Sequence, residues 1–204
     1  MRVEINSELE SGDPALEIPW ASPKQPRLKY VDLKKHPEKI ASLPECRNHP
    51  PLAQFLHRIN SSESAFHTAK CGVWVTAELE EDEGLDFQHP VKVASYVDLV
   101  FDRRDYRSRL KPHLRLAKEL EKSLAVCRLP AQIDIVLRQC LFHENRKWGY
   151  SLTIFVHAYG STRLQAKEAW GCALGNLGSA LLKISPSLIK KSAKRLDPRT
   201  RGAI

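Results

Sequence analysis

Four stretches of this chain alternate apolar and polar residues with a period of two, a pattern that fits β-strands with one buried face. Residues 68–79 place Cys71, Val73, Val75, Ala77 and Leu79 on one side. Residues 91–101 place Val91, Val93, Val97, Leu99 and Phe101 there. Residues 131–142 align Ile133, Ile135, Leu137 and Leu141, and residues 150–159 align Tyr150, Leu152, Ile154, Val156 and Ala158.

Between these stretches the period lengthens to that of a helix. Leu110, Leu114, Ala117, Leu120 and Leu124 form one stripe. Ala166, Trp170, Ala173, Leu177, Leu181 and Ile184 form another. Thr162 and Gln165 have the spacing of a capping box, and Pro186 is expected to end the second helix. Pro51 suits the first turn of a shorter helix carrying Leu52, Phe55, Leu56 and Ile59.

The order is strand–strand–helix, twice. It predicts an α+β two-layer domain whose four-stranded antiparallel sheet comes from two ββα units, with helices on one face and an N-terminal arm. The expected divisions are a proline-containing arm over 1–26, one α+β domain over 27–185 and a basic tail over 186–204.

With helices on one side, the opposite parity of each strand forms an outer face. It carries Trp74, Tyr96, Arg138, Phe155, His157 and Tyr159, where solvated strands usually carry charge. Rings beside cations are how several modules bind RNA or single-stranded DNA, bases stacking while cations meet phosphates. Two other readings compete. The N-terminal segment covers the face, or a second subunit or protein partner does.

Charge is unevenly placed. The formal net charge is +8, yet residues 1–20 carry five acids against one arginine. Arg103, Arg104 and Arg107 crowd the approach to a helix, where an anion would offset their clash with the macrodipole. Neighbouring acids, Asp105 among them, offer a plainer neutralisation. Lys190 and Lys191 begin a cationic tail suited to phosphates without sequence preference.

Nucleic-acid binding through this face and tail is therefore the expected function. The alternatives are an interaction scaffold that oligomerises through the face and a small-molecule enzyme pairing His157 with Asp98 or Asp134, with Cys140 as a candidate nucleophile. No phosphate-binding loop, dinucleotide fingerprint or zincin motif occurs, so no cofactor is expected. Cys46-x2-His49 with His67-x3-Cys71 is the best metal candidate, but a regular strand holds residues 67 and 71 about 13 Å apart. Five scattered cysteines, no apolar leader and no membrane-length apolar run predict a cytoplasmic protein without a membrane partner.

Overall fold

The computed structural model describes residues 1–22, 25, 29–76 and 89–193, with side chains through 188. Its centre is a six-stranded mixed sheet, which corrects the expected four-stranded antiparallel sheet of two ββα units. The strands are β1 (Arg2–Glu8), β2 (Leu16–Ile18), β3 (Phe66–Thr76), β4 (Val91–Phe101), β5 (Ala131–Phe142) and β6 (Lys147–Gly160). The order is β1-β5-β6-β4-β3, and β2 follows β1 along the same edge of β5.

The correction lies in the N-terminal segment. β1 and β2 both pair parallel to β5, with Ile5 opposite Ile135 and Ile18 opposite Phe142. Met1, Val3 and Ile5 pack against the main core, while Glu4, Asn6 and Glu8 take the other parity. That alternation is short and thick with charge. Its partner strand lies some 130 positions away, so local periodicity does not announce the pairing.

Six helices surround the sheet among the described residues. A 3-10 turn (Pro37–Ser42) leads through α1 (Pro44–Arg47) to α2 (Pro50–Ile59). A single turn, α3 (Arg104–Arg107), precedes α4 (Leu110–Leu124), and α5 (Arg163–Ala193) follows β6. None of the described helices is long and apolar enough to cross a membrane.

The inner face of the sheet meets α2, α4 and α5 over one large core. Ile133, Ile135, Ile154, Val156, Val93 and Val97 face Leu116, Leu120, Trp170, Leu174 and Leu177. Trp170 is fully enclosed and its Nε1 donates to Ser95 Oγ at 2.9 Å, which resolves the polar cost of burying an indole. Gly171 lets α2 come close, because a Cβ there would stand 3.2 Å from Pro51 Cγ. Thr162 Oγ1 accepts from Gln165 N at 3.2 Å at the start of α5. Pro186 does not end that helix. Buried Ser185 binds Ala65 N through its hydroxyl, and Leu188 packs on the core beyond the proline, so tertiary contacts hold the extra turns.

His113 on α4 is fully buried, its Nδ1 on Arg109 O and its ring against Phe101 and Tyr150. Burial lowers its pKa from 6.5 to about 4. The fold therefore holds it neutral while the unfolded chain takes up a proton. Stability should fall as the pH drops from 6.5 towards 4, by on the order of 3 kcal/mol at the lower end. Urea unfolding across that window should show a flatter profile for His113→Leu; an unchanged slope would contradict the assignment.

Candidate functional site

The outer face is divided into zones by a plug. Leu16, Ile18 and Tyr30 lie on Ala69, Val100, Cys140 and Phe142 as a second, smaller apolar cluster. Trp20 anchors the same segment, its Nε1 donating to Ala69 O at 2.7 Å. Along β4 the outward positions run Ala94, Tyr96, Asp98, Val100, and then Asp102 just past the strand. Val100 is under the plug, which leaves Asp98 on one side of it and Asp102 on the other.

On the first side, three strands contribute a row of rings. Tyr96 and Phe155 have centroids 5.9 Å apart, Phe155 and His157 stack at 6.2 Å, and Trp74 meets His157 edge-on at 6.5 Å. Arg138 reaches to 6.0 Å from the Phe155 ring while its Nε binds Glu8 Oε2 at 2.7 Å. Trp74 is the most open of the row, at 40% exposure. Tyr159 is fully buried and presents no ring for stacking.

The proposed pairing of His157 with an aspartate exists: Nε2 lies 3.2 Å from Asp134 Oδ2. Asp134 also receives Gln132 Nε2 at 2.8 Å. Burial opposes its ionisation, but the hydrogen bonds from His157 and Gln132 outweigh that and hold its pKa below the ordinary value. The other nitrogen of His157, Nδ1, is sealed without a partner, so no substrate reaches that nitrogen. Cys140 belongs to the plug, and burial pushes its thiol up to about 12. It pairs with Gly149, whereas His157 pairs with Gln132, about 26 Å up the same strand. The two do not meet.

The arginines lie elsewhere. Arg103 grips Asp105 through Nε at 2.9 Å and Nη2 at 2.7 Å. Arg107 donates to Phe101 O at 2.6 Å and to Glu144 Oε1 at 3.2 Å, and Arg104 stands exposed 3.8 Å from the same carboxylate. All three sit on or beside α3, away from the ring row. The Lys190 and Lys191 side chains lie outside the described residues.

On the far side of the plug is a cleft of about 510 Å³ that the sequence did not disclose. Its lining includes His67, whose Nδ1 is 2.8 Å from Asp102 Oδ1. Lys34 Nζ takes the other oxygen of Asp102 and also donates to Ser64 O at 2.7 Å and Phe66 O at 3.1 Å. Burial opposes ionisation of Asp102, yet the hydrogen bonds from His67 and Lys34 prevail and lower its pKa. Tyr30, Asp32, Arg107 and Glu144 line the walls. Burial, with Asp32 nearby, pushes the Tyr30 hydroxyl up to about 12, so the phenol stays protonated.

A bulge explains why this pair is hard to foresee. The register of β3 against β4 shifts between Thr68 and Cys71. One added residue exchanges the faces, so His67 points outward with Val100 while Cys71 points inward with Val97. Continuous alternation would put His67 and Cys71 on the same, inner side. The same bulge separates the two later ligands of the zinc candidate, and no cluster of three or more metal-ligating side chains gathers among the described residues.

Three histidines with little exposure differ in what reaches their second ring nitrogen. His113 Nε2 and His157 Nδ1 are sealed without partners. His67 differs: its Nε2 has no hydrogen bond among the described residues, is not sealed, and belongs to a ring lining a cavity. No family model, curated protein or solved structure matches this chain.

Asp102 gives this site a pH signature. Because its folded pKa is depressed, its contribution is complete above the ordinary value of 3.8 and disappears as the pH falls below that through the folded value. Asp102→Asn should cost roughly 1–2 kcal/mol at neutral pH by breaking the bonds to His67 and Lys34. It should also lose less stability than the parent in that acid window; parallel unfolding curves for the two proteins would refute the role.

Proposed function

We propose that this chain binds a small, polar, overall neutral molecule in the His67 cleft and transfers a proton on it. The observation that carries the reading is the contact of His67 Nδ1 with Asp102 Oδ1 at 2.8 Å beside an open cavity. A carboxylate on one ring nitrogen holds the proton there and leaves the other nitrogen basic, the arrangement a general base needs. Tyr30, kept protonated, supplies a hydroxyl that can donate to a substrate oxygen as charge develops.

The character of the substrate follows from the walls. Lys34 is matched by Asp102, Lys35 by Asp32 and Arg107 by Glu144. The cleft charges already satisfy one another, which favours a neutral ligand over a phosphate or a polycation. This supports an acid–base enzyme, with His67 in the place expected for His157. A nucleic-acid platform draws less support, since Arg103, Arg104 and Arg107 stand at α3 and Tyr159 is buried. All five cysteines are free, which supports a reducing compartment such as the cytoplasm.

The test is proton exchange. Neutral ketoses, aldoses and carboxamides are incubated with the protein in deuterium oxide and carbon-bound deuterium is followed by NMR. At least one compound should exchange or convert, and His67→Gln should slow it by about 100-fold or more. Exchange that survives His67→Gln, or no exchange with any of these compounds, would overturn the proposal.

A further inference from the structure

We infer that a second cavity, on the other side of the plug, binds a small zwitterion of the α-amino-acid type, with its ammonium on Asp98 and its carboxylate on Arg138. The cavity holds about 270 Å³ and is lined by Asp98, Arg138, Thr153, Tyr96, Phe155 and Lys70, with residues 14–16 forming its lip. That volume suits a metabolite of amino-acid size and falls below the ~300–1,000 Å³ typical of larger ligands.

Its floor is a buried acid, 5% exposed. Thr153 Oγ1 donates to Asp98 Oδ1 at 2.6 Å. Oδ2 accepts nothing among the described residues and is not sealed, so it has room for a ligand. Among the described residues Asp98 makes no ion pair: Arg138 is engaged by Glu8, and Arg138 and Lys70 act on Asp98 only from a distance. A carboxyl buried in this way costs free energy to ionise unless a cation arrives, and an ammonium group supplies one. Burial raises its pKa accordingly.

The second charge is close at hand. Arg138 Nη1 lies 3.4 Å from the same Thr153 hydroxyl, so acid and guanidinium are one hydroxyl apart. Its Nη2 donates to nothing among the described residues and is not sealed. Adjacent ammonium and carboxylate groups on one carbon span just such a gap. Lys70 adds a cation at the rim, its Nζ 5.4 Å from the Trp20 ring centroid. The Tyr96 and Phe155 rings offer an apolar wall and a π-face to the ammonium.

This site is independent of the His67 cleft, and its ligand need not be the substrate there. Calorimetric titration of the full chain with leucine, isocaproate and isoamylamine separates the two charges. Leucine should bind with Kd below about 1 mM and each single-charge analogue at least about tenfold more weakly. Asp98→Asn should weaken leucine by about tenfold or more while leaving isocaproate unchanged. Ala15→Trp, at an exposed position of the lip, should block all binding whatever the fate of the Asp98 variant. Absence of heat with leucine up to about 10 mM, isoamylamine binding as tightly as leucine, or leucine binding retained in either variant would overturn the assignment.

Discussion

The parallel pairing of the N-terminal segment with β5 is the constraint on which both sites depend. Without it, β5 would be an exposed edge of 12 residues with unpaired backbone groups, an invitation to aggregate. With it, Leu16 and Ile18 are carried over the outer face and the chain continues across Ala69 and Val100. That path walls off two cavities. Residues 14–16 close one, while Ile18, Pro19, Tyr30 and Lys34 line the other. The sheet supplies Asp98 and His67, and the N-terminal segment gives each of them a cavity wall.

Electrostatics hold this segment in register more than they stabilise it. Glu8 binds Arg138 of β5 at 2.7 Å, and Glu17 lies 2.8 Å from His143 Nε2 just after that strand. Such partly exposed pairs contribute modestly, so the apolar plug and the backbone ladder carry the energy. Lys34 does something different. Its ammonium binds two β3-edge carbonyl oxygens and Asp102 together, which joins the segment to the sheet at the point where His67 needs its carboxylate.

Much of the sheet was legible because alternation is a strong local signal. Leu152, Ile154, Val156 and Ala158 face the core, and Thr153, Phe155 and His157 face outward, as their parity requires. The gathering of Trp74, Tyr96, Phe155 and His157 followed from the same rule. What escaped was non-local. The β1–β5 pairing has no nearby partner to announce it, and the segment's alternation is masked by Glu4, Glu8 and their neighbours. His67 was hidden by a single extra residue in β3, which reverses parity without leaving a glycine or proline mark at Ala69 or Lys70. Asp102 was legible only as part of an arginine-rich run, although the start of one strand lies beside the end of its antiparallel partner.

The most direct measurement of the central claim is the tautomer of His67, read from long-range proton–nitrogen NMR correlations at neutral pH. Contact with Asp102 requires a proton on Nδ1, and the proposed general-base role requires a bare Nε2, with the Nδ1 proton shifted far downfield and lost in Asp102→Asn. A His67 that carries its proton on Nε2, or whose spectrum is indifferent to Asp102, would contradict the account.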